Sequence, residues 1–176
     1  MAGRYHFLTE MELTSPPDSV EYALSDYTRW PTWWRWARQV ESLDGASPGS
    51  LGARYRYRVT TPFRYGFTYV TEVIETSPSH ILVESSGDLE GSGLFRFSRT
   101  EEQGTALSFT WLVQTSKWWM NLVSPIARPA FVWNHDLLMT NFAEGLARVT
   151  NGDLIAVTHT VVPPSDPAFF TLTVGS

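Results

Sequence analysis

The chain has 176 residues, enough for one domain with a sizeable core and too few for two of ordinary size. It has no cysteine, which excludes a disulfide scaffold, a thiol nucleophile and every cysteine-ligated metal site. Its 18 acidic residues outnumber 13 basic ones, so the basic footprint of a general nucleic-acid binder is missing, and Lys117 is the single lysine open to Schiff-base chemistry.

Residues 4–14 alternate, with Tyr5, Phe7, Thr9, Met11 and Leu13 on one side and His6, Leu8, Glu10 and Glu12 on the other. That period of two predicts a strand with one buried face. Ser15-Pro16-Pro17-Asp18 then opens a short helix to about Ser25, since Pro is pre-shaped for a first turn and an acidic side chain suits the positive helix start. Asp26 to Trp36 reads as a Trp-rich turn or a second short helix broken at Pro31. Arg38 to Asp44 is a short strand, and residues 46–52 are a loop.

From 53 to 116 the pattern is nearly all strand. Tyr55, Tyr57 and Val59 share one face and Arg54, Arg56 and Arg58 the other. Residues 63–76 place Tyr65, Phe67, Tyr69, Thr71 and Val73 together, and further strands follow at 80–86, 93–99 and 106–115. The glycine-rich stretch 87–93 opens no helix and reads as a hairpin turn. Short turns and alternating faces predict an antiparallel meander.

The period changes after Trp119. Phe131, Asn134/His135, Leu138, Phe142, Leu146 and Val149 recur at helical spacing, which predicts a helix over 129–149 stopped by Gly152, after a looser turn at 118–124. Residues 153–176, apolar and broken by Pro163, Pro164 and Pro167, read as an appendage to a domain of residues 1–152, either an extra strand pair or a tail. The fold class is therefore α+β: one strand, two short helices, six strands and one long helix.

A curved sheet of six or seven strands and a helix about 30 Å long, at 1.5 Å per residue, suffice to enclose a hollow rather than a solid core. The inner faces would line it with Tyr55, Tyr57, Phe67, Tyr69, Phe95, Phe97, Phe109 and Trp111, joined by Trp33 and Trp34 from the Trp cluster and by Phe131, Leu138 and Phe142 from the helix. Such walls suit a hydrophobic, aromatic or polycyclic small molecule or a lipid. Trp30, Trp33, Trp34 and Trp36 either gate the mouth or plug the short helices onto the sheet. Trp118 and Trp119 would form the opposite lip or a surface patch.

Trp133-Asn134-His135-Asp136 is the most polar stretch of the long helix. Spacing from Phe131, Leu138 and Phe142 puts His135 inward, with Asn134 on the flank and Asp136 outward with Thr140 and Glu144. His135 would then serve as an acid/base, Asn134 as an orienting group and Tyr69, with Tyr55 and Tyr57, as a carbonyl donor. The alternative is a histidine satisfied structurally. The arginine face at 54, 56 and 58 offers an anion site or, more simply, pairs with Glu72 or Glu84 across strands. His6, His80, His135 and His159 stand singly, and no HxH, HExxH, P-loop, GxGxxG or GxSxG spacing occurs, so neither metal nor cofactor is expected.

Several segments together resemble the START-like (SRPBCC) superfamily of helix-grip proteins. These are Trp30-Pro31-x-Trp33-Trp34, Thr71-Glu72-Val73 followed by Ser77-Pro78, Gly87-Asp88-Leu89-Glu90-Gly91, Trp133-Asn134-His135-Asp136 and Glu144-Gly145-Leu146. In order and spacing they cover residues 4–150 and are most similar to the bacterial polyketide cyclase/dehydrase and lipid transport branch. The resemblance implies a sheet gripping the last helix and an internal ligand site. Its enzymatic form would be an aromatase/cyclase that folds a polyketide for aldol closure and dehydration. A stress or interaction protein with a vestigial pocket is a further alternative. No stretch reaches the ~18 apolar residues of a membrane span and residues 1–12 lack a signal-peptide core, so a cytoplasmic monomer or homodimer without stable membrane insertion is expected.

Overall fold

The computed structural model describes residues 4–62, 65–115 and 124–163. Its elements are β1 (Arg4–Leu13), α1 (Pro17–Ser25), a 3-10 turn (Tyr27–Arg29), α2 (Trp30–Trp33), β2 (Ala37–Ser42), β3 (Arg54–Thr60), β4 (Gly66–Ser77), β5 (His80–Gly87), β6 (Leu89–Arg99), β7 (Thr105–Thr115), α3 (Ser124–Val149) and β8 (Leu154–Val161). The strands form one eight-stranded antiparallel sheet in the order β2-β3-β4-β5-β6-β7-β1-β8. The curved sheet packs its inner face on α3, and the short helices close one end.

Alternation does most of the positioning. In β1 the side chains of Tyr5, Phe7, Thr9, Met11 and Leu13 are buried, and in β3 those of Tyr55, Tyr57 and Val59, as period-two faces require. The arginines of β3 stay outside: Arg54 pairs with Glu72 at 3.9 Å, and Arg56 reaches Glu41 rather than Glu84, at 3.5 Å. In α1, Pro17 opens the helix and Val20 and Leu24 are fully buried, one turn apart.

Four details differ from the sequence expectation. Pro31 does not break the second helix; it lies in the first turn of α2, where a missing N–H costs nothing. The hairpin turn expected over 87–93 joins β5 to β6 but is tighter, with only Asp88 between the two strands. Asp88 Oδ2 accepts the Thr68 N–H at 2.8 Å, and Gly91, at a φ of 146°, lets β6 run flush against the Leu112 carbonyl. The long helix starts at Ser124, so Pro129 sits inside it and deletes one rung of its hydrogen-bond ladder. At its end the left-handed residue is Asn151 (φ 56°), and Gly152 N–H bonds the Ala147 carbonyl at 2.9 Å.

The segment after α3 joins the sheet as its eighth strand. β8 pairs with β1 from Phe7↔Val161 to Leu13↔Leu154. His159 pins it to both layers, Nδ1 lying 3.1 Å from Thr9 Oγ1 and Nε2 2.9 Å from Thr140 Oγ1. Residues 118–123 of the turn expected over 118–124, the lip at Trp118 and Trp119, Lys117 and the tail from 164 lie outside the described residues.

Candidate functional site

Between α3 and the inner sheet face lies a cavity of about 100 Å³. One wall comes from β3 and β4, where the rings of Tyr57 and Tyr69 stack 5.1 Å apart and Phe67 meets Phe131 of α3 edge-on. A second comes from β6 and β7, where Phe95, Phe109 and Trp111 form a continuous stack with centroids 4.2 and 5.5 Å apart. The third is the Trp-rich short-helix region, with Tyr27, Trp30 and Trp34. Trp30 Nε1 donates to the Leu24 carbonyl and Trp34 Nε1 to the Leu138 carbonyl, each at 3.1 Å, so both indoles are tethered. The helix closes the space with Phe131, Asn134, Leu138, Met139 and Phe142.

No described lining residue carries an ionisable acid or base of the Asp, Glu, His, Lys or Arg type. Burial pushes the phenols of Tyr27, Tyr57 and Tyr69 well above their usual range, so all three remain protonated donors. Against these apolar walls Asn134 Oδ1 and the Tyr27 hydroxyl are buried without a hydrogen-bond partner among the described residues, while the Thr71 hydroxyl has the Tyr57 phenol beside it. Leaving a buried polar group unmatched costs roughly 1–3 kcal/mol, so a native protein leaves such groups where a ligand or water meets them.

The structure brings together most of the residues expected from sequence: Trp34, Tyr57, Phe67, Tyr69, Phe95, Phe109, Trp111, Phe131, Leu138 and Phe142 all line the cavity. Four do not. Trp33 is buried against Phe142 at 5.1 Å, with its carbonyl facing Arg148 and the bare Gly145. Tyr55 lies on the inner face but packs at a tilt against Tyr27, with centroids 4.6 Å apart, and accepts the Gly49 N–H at 3.3 Å. Phe97 is buried at the far end of β6 opposite Leu107.

The fourth is His135, whose expected inward position Asn134 takes instead. Spacings of three and four fit either neighbour, and the rotation of α3 about its axis selects Asn134. His135 stacks on Phe7 at 3.9 Å, sets Nδ1 3.4 Å from Asp136 Oδ1 and faces His159 at 6.4 Å between centroids. Burial lowers its pKa from the ordinary 6.5, so it is a neutral ring in the β1–β8 seam, not a group in the cavity. Sequence reasoning missed Thr71 and Met139 as wall residues. Thr71 was visible in the β4 alternation as an inward polar residue, whereas Tyr27 and Trp30 sit in elements too short to show a period.

No protein-family model and no curated protein matches the chain. Solved structures do. A conserved protein from Geobacillus kaustophilus superposes with a TM-score of 0.66 at 15% identity, over 88% of this chain and 98% of that one. A START superfamily protein from Mycobacterium smegmatis gives 0.65 at 15% identity, over 83% and 97%. The Zhui aromatase/cyclase from a Streptomyces gives 0.66 at 14% identity, over 85% and 94%. This chain has the START-like helix-grip fold. In helix-grip terms α3 is the gripped helix and the cavity lies between helix and grip. Among the described residues no helix is long and apolar enough to cross a membrane.

Proposed function

We propose that this helix-grip protein binds a small, largely apolar organic molecule inside the α3–sheet cavity and carries or sequesters it. The observation that supports this most is the pairing of aromatic walls with a buried, unpartnered Asn134 Oδ1. Apolar area supplies the attraction, and a few fixed polar groups orient what enters. The lining favours binding over proton-transfer catalysis. Its phenols are held as neutral donors, and the one imidazole proposed from sequence as an acid/base lies in another part of the molecule. An aromatase/cyclase reading, suggested by the Zhui neighbour, would rest on Tyr57, Tyr69 and Asn134 as carbonyl-orienting groups.

Among the described residues three tryptophans line the cavity, so binding is directly readable. Titration with a neutral aromatic probe is expected to quench tryptophan fluorescence saturably and raise the melting temperature. If neither signal moves across a panel of apolar and aromatic compounds, the reading is wrong.

A further inference from the structure

We propose that the cavity selects uncharged single-ring aromatic molecules bearing a hydroxyl, and that Trp111, laid flat over Gly93, sets the upper size limit. This rests on the binding reading above and narrows it to a ligand class. The hollow holds about 100 Å³. An apolar cavity of about 150 Å³ takes one benzene, whereas sites that engulf drug-sized ligands run to roughly 300–1,000 Å³. A single ring therefore already fills the hollow with slight adjustment of its walls, and a fused three-ring molecule needs a wall to move outright.

The walls differ in how firmly they are held. Trp30 and Trp34 are tethered through their indole N–H groups. The Trp111 indole N–H has no partner among the described residues; within the cavity wall the ring is placed by stacking on Phe109 and by proximity to Tyr69. Beneath it the sheet is bare. A Cβ at Gly93 would come within 2.6 Å of Trp111 Cε3 and Cζ3 and 3.1 Å of Phe109 Cε2. The glycine thus lets the indole lie on the backbone of β6. Any side chain there lifts the ring away from the sheet, into the space a ligand would use.

Charge and polarity set the rest of the class. With no charged side chain among the described lining residues, an ion would lose its hydration without compensation. A hydroxyl, by contrast, both donates and accepts. It can therefore satisfy the Asn134 amide in either orientation.

Calorimetric titration of the full chain with phenol, toluene, naphthol and phenanthrenol tests the proposal, with a thermal melt to verify that each variant folds. In the unmodified protein phenol is expected to bind at least tenfold more tightly than phenanthrenol, and more tightly than toluene. Trp111→Leu should reverse the size order, and Gly93→Ala should weaken phenol about tenfold. Asn134→Leu should reverse the preference for phenol over toluene. Equal binding of phenol and phenanthrenol overturns the proposal while leaving the binding reading intact. So does a size order unchanged in Trp111→Leu or, if that variant does not fold, an unchanged phenol affinity in Gly93→Ala. Failure of all four probes on the unmodified protein overturns the binding reading and this inference with it.

Discussion

The two halves of α3 meet the rest of the molecule in opposite ways. From Ala143 to Ala147 the helix sits flush: Ala143 and Leu146 are fully buried, and Gly145 lies so close to the Trp33 carbonyl that no Cβ fits between them. From Phe131 to Met139 the same helix stands off the sheet, and its inward residues border a hollow instead of interdigitating. Small residues let backbones approach, whereas rings propped against rings hold them apart. One continuous helix can therefore anchor the fold at one end and leave room for a ligand at the other.

Substitutions at the two ends should separate them most sharply. Leu146→Ala removes a fully buried side chain from the flush half and is expected to cost about 2–5 kcal/mol. Leu138→Ala, on the half-buried cavity wall, should cost at least about 1 kcal/mol less in the same urea titration; equal losses would mean that both halves pack alike. Gly145→Ala comes next. In an open helix the change would stabilise by roughly 1 kcal/mol, but the overlap with the Trp33 carbonyl should turn it into a loss of about 1–3 kcal/mol. A gain in melting temperature would contradict the close contact.

Asn134→Leu probes the open half. Removing a buried amide with an unpartnered oxygen should leave stability unchanged or raise it by about 1 kcal/mol. A clear loss would show that Asn134 supports the fold and is not held for a ligand.

A smaller effect is expected from pH. His135 is neutral in the fold, held below its ordinary 6.5 by burial, while the unfolded chain titrates near that value. The unfolded state then takes up more protons below pH 6.5, so stability is complete above it and declines as the pH drops through it. His159, lowered by the same cause, adds in the same direction. Urea midpoints at pH 7.5 and 5.5 should differ less in His135→Phe than in the parent, and an identical difference in both would remove His135 from the account. The smallest change is expected at Arg54→Ala. Its 3.9 Å contact with Glu72 is half exposed on both sides, so a shift within about 0.5 kcal/mol is anticipated by thermal melt, and a larger one would reveal a structural role for the outer face.

How much of this was legible in the sequence depended on the repeat being read. In a strand the period is two, so naming Tyr57 inward commits Tyr55 and Val59 to the same side, and the inner faces could be written down directly. In a helix, neighbours point 100° apart, and an arc facing a hollow is broad enough to admit either Asn134 or His135. β8 was harder still. Its partner is β1, about 150 positions earlier, where His159 meets Thr9, and no local pattern reports that an edge so distant in sequence is free to receive it.

The order of residues by itself determined an α+β fold, an antiparallel meander followed by a long helix, and an inner surface rich in aromatic rings. Alternation and helical spacing are properties of neighbours along the chain, so they can be read there. Only the tertiary structure decided that Asn134 faces the hollow while His135 joins the β8 seam, and that the indole of Trp111 lies over Gly93 so that about 100 Å³ stays empty. Those outcomes depend on the rotation of one helix and the stacking of rings from different strands, and both arise from contacts between residues far apart in sequence.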